Sequence, residues 1–378
     1  MVALVLVGVV VADARGGGPG PTSTATTGVE ATPVTMPAAA TPSPPTTLPV
    51  TTTASTTTRA PLTVAAAGDV IGDRQVGVYI DAHGGEAALE QVAPFLSTAH
   101  VAFVNLESPL SDAGSRNVEK DVTFRGRPAL VKGLAAAGID VVSLANNHAL
   151  DWGAQALLDT IARLDAAGIA HAGAGEDLAA ARSPALLDTP AGSVAVLAFT
   201  DIIPAGFPAG VERAGVNPVR PDRERLLADI REAATAADWV VVSFHWGVEY
   251  EGYAGASQRE LAHQVVDAGA DLVLGHHPHV LQGFELYKGA LIAYSLGDFV
   301  FDHYSRATGE AVILQATLTP GVPPSFSLIP VYLEDPHGIP APVTGAEADA
   351  ILDRVAGFSE RLGLTLTRDG DLARFAPE

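Results

Sequence analysis

Five short apolar segments of the chain are each followed by side chains of the types that bind metal ions. These side chains are Asp69, Asn105 with Glu107, Asn147 with His148, His245, and His277 with His279. Imidazole nitrogens with carboxylate and amide oxygens, in a chain without cysteine, suit Mn, Fe, Zn or Mg. Two such cations about 3.5–4 Å apart lower the pKa of a shared water and hold both oxygens of an in-line displacement. The residue types therefore predict one or two divalent metals and metal-assisted hydrolysis.

The remaining polar residues of these segments have predicted supporting roles. An unliganded histidine near the metals can protonate a leaving group, and His148 is the candidate. The side chains predicted to orient the ligands or line the site are Asn105, Asp151, Glu249, His276 and Asp298. The side chain of His276 is expected to point away from those of His277 and His279. Arg125 and Arg127 are candidates for bidentate binding of an anionic substrate, with a solvent-facing role as an equal alternative.

Each ligand candidate also has a structural alternative. Asp69 could be a helix N-cap, Glu107 a surface acid, Asn147 with His148 a hydrogen-bonded turn, and His245 a packed core histidine. The cluster of His276, His277 and His279 is the least ambiguous, because three imidazoles within four residues after a buried strand are rarely structural alone.

The elements that would position these residues follow an α/β pattern, in which apolar runs alternate with Ala-rich segments of helical period. Strands are predicted at 62–67, 101–104, 140–144, 193–199, 239–244, 272–274, 291–294 and 311–318. Helices are predicted at 127–137, 154–167, 220–236, 257–268 and 346–362, with Gly138 and Gly269 as C-caps. In open α/β sheets ligands bind outside the carboxyl ends of the strands, so the five polar clusters are expected to converge.

The charge of the chain excludes one class of partner. It has 22 basic and 43 acidic residues, and its net charge of -21 falls on residues 61–378, because the charges of the first 60 residues cancel. Such a surface repels phosphate backbones, so no nucleic-acid partner is expected. The motifs G-x-S-x-G, G-x-G-x-x-G and G-x-x-x-x-G-K-[ST] are absent from the sequence, which leaves acyl-transfer and nucleotide-fold interpretations without support.

The amino-terminal part of the chain has a different composition. Residues 1–12 are almost wholly apolar and too few to span a bilayer. With Ala12-Asp13-Ala14 as a candidate cleavage site, residues 1–14 are typical of a secretory signal or anchor; a buried strand is the alternative. Residues 15–60 are rich in Thr, Pro and Ala and are predicted to be a disordered linker. The folded domain is predicted at 61–378, outside the cell or tethered to the envelope.

The motifs, taken in order, resemble those of a known family. They are A-G-D-V-I-G-D, V-N-L-E-S-P-L, F-R-G-R-P, S-L-A-N-N-H-A-L-D-W-G, F-H-W-G-V-E-Y, G-H-H-P-H-V-L-Q-G and Y-S-L-G-D-F-V-F-D, over about residues 62–304. They are similar to the CapA-type capsule synthesis proteins associated with poly-γ-glutamate, which resemble calcineurin-like metallophosphoesterases. The resemblance implies an αββα sandwich, with a metallophosphoesterase-like two-sheet core flanked by helices.

The metallophosphoesterase pattern implies roles for individual residues. Asp69 matches the first acid, Glu107 the bridging acid, Asn147 with His148 the Asn-His pair, His245 the lone histidine, and His277 with His279 the final pair. Three positions depart from that pattern: Ile71 replaces a histidine ligand, Glu107 a usual aspartate, and Ala149 an expected acid. These departures weaken one of the two implied metal sites.

The predicted function is a capsule or poly-γ-glutamate synthesis-related protein with a metal-assisted hydrolase site. Its substrate would be an anionic envelope polymer such as poly-γ-glutamate, or a phosphoester, because the same chemistry attacks phosphorus or an acyl carbon. A membrane synthase complex is a further expected partner. The alternatives are a non-catalytic polymer-binding, assembly or export subunit with a degraded metal site, favoured by Ile71 and Ala149, and a cytoplasmic phosphatase.

Overall fold

The computed structural model describes residues 59–377, which contain all but the last residue of the predicted domain. The predicted signal segment 1–14, and all of the predicted linker except residues 59 and 60, lie outside the described residues. No helix within residues 59–377 is long and apolar enough to cross a membrane.

Two large β-sheets form the centre of the described domain. The strands are β1 (Leu62–Val70), β2 (Val101–Leu106), β3 (Val141–Ser143), β4 (Ala170–Ala172), β5 (Ala174–Gly175), β6 (Ala185–Thr189), β7 (Gly192–Thr200), β8 (Gly215–Val216), β9 (Trp239–His245), β10 (Leu272–His276), β11 (Phe284–Tyr287), β12 (Ala290–Ala293), β13 (Asp298–Val300), β14 (Glu310–Thr319), β15 (Val322–Glu334), β16 (Ile339–Pro342), β17 (Thr367–Asp369) and β18 (Leu372–Phe375). The first sheet has the order β17-β18-β15-β14-β1-β2-β3-β4, and β13 and β16 pair with β1 and β15. The second has the order β11-β12-β10-β9-β7-β6, and β5 pairs with β8 separately.

Helices flank the two sheets. They are α1 (Arg74–His83), α2 (Ala93–Leu96), α3 (Leu130–Ala136), α4 (Gly153–Ala166), α5 (Leu178–Arg182), α6 (Arg223–Ala236), α7 (Ala256–Asp267), α8 (Arg306–Gly309) and α9 (Gly345–Glu360). Apolar residues of α1, α3 and α4 share a core with the first sheet, and those of α6 and α7 share one with the second. A third core fills the space between the sheets. The predicted αββα sandwich is confirmed.

Strict alternation along the central strands creates these three cores. In β1, Val64 and Ala66 face the second sheet, whereas Ala65 and Ala67 face the helices. In β9, Val241 faces the first sheet and Val242 faces the helices. Because successive side chains of a strand point to opposite faces, strands buried on both sides are apolar throughout.

A repeated aspartate joins neighbouring parallel strands at their amino ends. Asp140 precedes β3 and accepts a 2.8 Å hydrogen bond from the N–H of Ala102 in β2. Asp271 precedes β10 and accepts a 2.8 Å hydrogen bond from the N–H of Val240 in β9. The parallel strands therefore start together, and their carboxyl ends reach the same edge.

The predicted helix boundaries are correct at α4, α7 and α9 to within about two residues, and the predicted C-caps Gly138 and Gly269 have φ of 76° and 118°. Two helices start later than predicted. Helix α6 begins at Arg223 because the carboxylate of Asp222 caps it, and α3 begins at Leu130. Helix α9 packs Ile351, Leu352 and Val355 into the core between the sheets, which gives the segment 346–362 a structural role.

Candidate metal centre

Polar residues replace apolar ones where the inter-sheet faces of three strands reach their carboxyl ends. Asn105 continues the face of Phe103 in β2, His245 that of Val241 in β9, and His276 that of Leu274 in β10. All three polar side chains are at most 1% exposed. Alternation alone therefore aims one amide and two imidazoles at the same rim of the layer between the sheets.

A β-bulge brings Asp69 to this rim. Ala66 pairs with Phe103 and Asp69 with Asn105, so β1 carries one residue more than β2 between the two pairs. The extra residue reverses the face to which Asp69 points. Gly68 permits the bulge, because a Cβ there would lie 1.8 Å from the carbonyl oxygen of Gly297. The same close approach pairs β13 with β1 and places Asp298 beside Asp69.

Glu107 follows β2 and is fully buried, although neither carboxylate oxygen has a hydrogen-bond partner among the described residues. Oε1 lies 3.2 Å from Nε2 of His245. Burial, reinforced by the negative charge of Asp69, raises the pKa of Glu107 well above its usual value. A buried carboxylate without donors is costly unless a cation compensates it, so this residue fits the predicted bridging ligand.

His277 and His279 follow β10 in strained backbone conformations. Their φ angles of 94° and 57° lie in the left-handed region, which non-glycine residues seldom occupy outside functional turns. The N–H of His277 donates a 3.1 Å hydrogen bond to Asp69, and Nδ1 of His279 lies 2.8 Å from Asp298. A carboxylate on the far ring nitrogen is the usual way in which a histidine ligand is oriented. The turn thus presents both imidazoles to the carboxylates.

Opposing electrostatic effects act on these imidazoles. Burial and the charge of His279 lower the pKa of His277 to about 3, and burial with the neighbouring histidines holds the pKa of His245 well below its usual value. For His279, burial is outweighed by Asp298 and Glu107, and its pKa rises. His245 and His277 are thus neutral, the form in which imidazole binds metals.

Three overlapping sets of side chains have ligand atoms within 4.8 Å of one another: Glu107 with His277 and His279; Asp69 with His279 and Asp298; and Asp69 with Glu107 and His245. These carboxylate and histidine sets contain five of the six predicted ligands, and they add Asp298, which was predicted in a supporting role. Their oxygen and imidazole donor set and the unpartnered oxygens of Glu107 fit a divalent cation.

The side-chain oxygen of the sixth predicted ligand, Asn147, lies 2.8 Å from Nε2 of His245, the nitrogen that lies 3.2 Å from Glu107, so Asn147 is at the same site. The preceding residue, Asn146, was not singled out from the sequence. It is fully buried, donates to the carbonyl oxygen of Leu106 at 2.8 Å and accepts the N–H of His148 at 3.1 Å. These bonds hold the loop after β3 against β2.

His148, the candidate acid, is held by Asp151 and Lys120. Nδ1 of His148 lies 2.5 Å from Oδ2 of Asp151, which also accepts the N–H of Phe124 at 2.7 Å. Lys120 donates to Asp151 and to the backbone carbonyl of Asn147, and its Nζ is 3.2 Å from Nδ1 of His148. Burial lowers the pKa of His148 although Asp151 opposes the shift. Asp151 thus has the predicted orienting contact, and Lys120 is an addition from the structure.

His276 faces the interior rather than the cleft, with its Nδ1 3.3 Å from Asp69 and its ring 5.7 Å from that of Phe103. It contacts Asp69 on the interior side of the site. It belongs to none of the three ligand sets found among the described residues.

A cleft of about 320 Å³ opens above the candidate ligands. Its lining includes His148, Asn147, His279, Asp298 and Glu249, as well as Arg74, Lys120, Phe124, Tyr250 and Tyr304. Arg125 and Arg127 do not line it, contrary to the substrate role predicted for them. Arg125 donates to backbone carbonyls of Ser111 and Asp112, and Arg127 pairs with Asp73 and Asp81. The arginine of the cleft is Arg74, which sequence reasoning missed.

The two other departures from the metallophosphoesterase pattern are apolar in their surroundings. Ile71 is fully buried in the core between the first sheet and its helices, and Ala149 is 2% exposed in the same core. Apolar packing thus accommodates the side chains at both positions.

Most of this chain is similar in sequence to known proteins. The profile of a family described as bacterial capsule synthesis protein PGA_cap matches residues 63–303, the segment that carries the candidate ligands. The chain is 35% identical over 286 residues to the capsule biosynthesis protein CapA of Bacillus anthracis, an alignment covering 74% of this chain and 69% of that protein.

Two further relatives have similar identity to this chain over a similar share of its length. The PGA biosynthesis protein CapA of Bacillus subtilis is 34% identical over 278 residues, which cover 73% of this chain and 72% of the relative. A probable polyglutamine synthesis accessory protein of Mycobacterium tuberculosis is 37% identical over 262 residues, covering 65% and 68%.

Proposed function

The chain belongs to the family of bacterial capsule synthesis proteins, and we propose that it is a divalent-metal-assisted hydrolase acting on an anionic capsule polymer. The observation that carries the proposal is Glu107, a fully buried carboxylate without a hydrogen-bond partner among the described residues, beside three histidines and two aspartates. Two of the relatives are named for PGA biosynthesis and polyglutamine synthesis, so the substrate we propose is a polyglutamate chain. A phosphoester is the alternative substrate class.

In this proposal, Asp69, Glu107, His245, His277 and His279 hold the metal, and Asp298 orients His279. When bound, the metal supplies Lewis-acid polarisation of the scissile carbonyl or phosphoryl group and lowers the pKa of water. The buried ligands contribute rigidity, because Asp69 accepts bonds from Asn105 at 2.8 Å and from the His277 backbone at 3.1 Å.

His148 handles the proton of the leaving group. In hydrolysis, oxygen of water bonds to the acyl carbon or phosphorus, the bond to the amide nitrogen or ester oxygen breaks, and that leaving atom takes up a proton. Asp151 occupies Nδ1 of His148, which leaves Nε2 to exchange the proton. Because burial lowers the pKa of His148, its cationic form releases this proton more readily.

The test is metal content and hydrolysis measured on the full chain with matched variants. We expect bound divalent metal by elemental analysis, and hydrolysis of γ-linked glutamate oligomers or of a phosphodiester. His277→Ala should lose both metal and activity, and His148→Ala should keep metal and lose activity. His263→Ala is the control, since His263 lies on α7 and pairs with Glu285 outside the cleft. A wild-type protein that binds no divalent metal and cleaves neither substrate refutes the proposal.

A non-catalytic assembly or polymer-binding role is the second candidate, and Ile71 in the apolar core favours it because one expected ligand is missing. The His148→Ala variant separates the two roles. A catalyst loses polymer processing when His148 is replaced, whereas an assembly subunit keeps polymer binding and export unchanged.

We further propose that the domain acts outside the cell or at the envelope, held by residues 1–14 and the linker 15–60, beside a membrane synthase. Protease treatment of intact cells tests this location. Digestion of the domain without lysis supports it, and protection until lysis contradicts it.

A further inference from the structure

The cleft above the candidate ligands is a poor place for an anion on charge alone. The chain carries a net charge of -21, and the carboxylates lining this cleft are Asp121, Glu249, Asp298 and Asp302. Its lining includes one arginine and one lysine, Arg74 and Lys120, beside the candidate ligand His279. Apart from the metal and its ligands, an anionic substrate can therefore pair with the donors that these two side chains have free.

Lys120 is already committed to the protein. Its ammonium group donates to the Asn147 carbonyl and to Asp151, and the side chain is 14% exposed. An ammonium has three donors, so the contacts to the loop of His148 consume most of its capacity. Lys120 is best explained as a residue that positions this loop.

Arg74 has donors to spare. Its Nη1 reaches Asp302 at 3.3 Å and the Tyr304 hydroxyl, but Nε and Nη2 make no hydrogen bond to any residue in the range 59–377. The side chain is 29% exposed at the cleft. Nε and Nη2 form one edge of the planar guanidinium, the edge that matches the two oxygens of a carboxylate or phosphate.

One aromatic ring, that of Phe124, contacts both this guanidinium and the candidate acid. Cζ of Arg74 lies 4.6 Å from the centroid of the Phe124 ring, and the same ring lies 4.1 Å from that of His148. The backbone of Arg74 is in the left-handed region with φ of 51°, a strained conformation for a side chain of this size. Arg74 and His148 therefore pack against the same ring, that of Phe124.

We propose that Arg74 is the specificity-determining residue that anchors the oxyanion of the substrate through Nε and Nη2. The inference rests on the hydrolytic function proposed above and names the ligand chemistry of the same cleft: a planar carboxylate or a phosphate oxygen pair. Arg74 binds this group beside the scissile bond, while His148 acts on the leaving atom.

The experiment measures equilibrium binding by titration calorimetry and steady-state kinetics on the full, metal-loaded chain. The probes are γ-linked triglutamate for a carboxylate and inorganic phosphate for a phosphate source. Arg74→Gln should weaken binding of the preferred probe about 10- to 100-fold, the effect of losing a bidentate charge-assisted pair. Arg74→Lys should recover only part of the loss, because an ammonium lacks the fork. Arg163→Gln, on α4 outside the cleft, is the matched control.

Kinetics separate anchoring from a merely structural role. The kinetic comparison uses a wild-type protein that hydrolyses the substrate. Arg74→Gln should raise KM for the anionic substrate. For an ester-capped, neutral γ-glutamyl substrate, kcat and KM of this variant should both stay within about threefold of the wild-type values. Unchanged probe binding in Arg74→Gln, or no binding of either probe to the wild type, overturns the inference. Probe binding that depends on Arg74 in a protein without hydrolysis supports the anchor and refutes only the hydrolytic function.

Discussion

Replacing Glu107 by glutamine should have opposite effects on stability with and without metal. The carboxylate is fully buried, and its oxygens have no hydrogen-bond donor among the described residues. In chelator, at a pH above the folded pKa of Glu107, Glu107→Gln removes a desolvated charge without a partner, so the free energy of unfolding should stay equal or rise by about 1–3 kcal/mol. With saturating metal the order should reverse, because the wild type binds the cation more tightly.

The size of the reversal follows from linkage. Free metal at 100-fold above its dissociation constant stabilises the folded state by about 2.7 kcal/mol. At about 2 °C per kcal/mol for a domain of this size, the wild-type melting temperature should rise by about 5 °C on adding metal. That of Glu107→Gln should rise much less. Scanning calorimetry in EDTA and in excess Mn²⁺ or Zn²⁺ measures both shifts.

The metal-free comparison also has a defined pH dependence. The pKa of Glu107 in the folded state is raised above the usual 4.5, so the folded protein holds this proton more tightly than the unfolded chain does. The contribution of Glu107 to stability is therefore fully present below pH 4.5 and is lost as pH rises through the folded pKa. The advantage of the glutamine variant should grow over the same interval.

Glu310→Gln is the matched control for this experiment. Glu310 is also fully buried, but it accepts bonds from Arg306 at 3.0 Å and Arg354 at 2.6 Å. Its replacement should destabilise the protein by about 1–3 kcal/mol in both conditions, because both arginine partners are partly exposed. If Glu107→Gln instead destabilises the metal-free protein as Glu310→Gln does, and metal stabilises both variants as it does the wild type, the assignment of Glu107 is refuted.

Three further substitutions test other parts of the site. Lys120→Met removes a charge that lowers the pKa of His148, so the titration of His148 followed by NMR should move to higher pH; an unchanged or lower value contradicts the contact. Asp298→Asn loosens the orientation of His279 and should reduce metal affinity about 10- to 100-fold in a competition titration, with retained affinity as the opposing result. Ile71→His buries an imidazole in an apolar core and should cost about 1–3 kcal/mol in denaturant unfolding without adding bound metal; a gain of one metal per chain would show that the position reaches the site.

Much of the site follows from sequence periodicity. Asn105, His245 and His276 each continue an apolar alternation whose inward face is already set by preceding residues, so their common location at the strand ends could be predicted. Asp69 and Glu107 were expected at the same edge because each follows a predicted strand, and the resemblance to metallophosphoesterases implies their roles as ligands. The shared edge has a physical reason: Asp140 and Asp271 join neighbouring parallel strands at their amino ends, so these strands also end together.

Alternation fails at Asp69. Counting from Ala65 and Ala67, Asp69 should face the helices, and only the bulge at Gly68 turns it toward the second sheet. The bulge depends on the approach of Gly297, which is more than 200 residues away in the chain. The strand propensity of the residues around Gly68 cannot predict a contact with so distant a residue.

The sequence also did not predict which residues line the cleft. Lys120 and Phe124 lie on a loop whose path is set by Asp151, and Arg74 is placed by a backbone conformation that its residue type disfavours. Strand β15 was missed for another reason, because Pro323, Pro324 and Pro330 weaken its strand signal, and β14 nevertheless pairs with it along most of its length.

The ligand sets draw on both sheets of the sandwich. Asp69 and Glu107 come from the first sheet, and His245, His277 and His279 come from the second, while the layer between the sheets is apolar. Apolar contacts are non-directional, and one residue along a strand corresponds to about 3.3 Å. A cation held by all five side chains would staple the two halves in register, so amide hydrogens of β1 and β10 should exchange as one cooperative unit when it is bound.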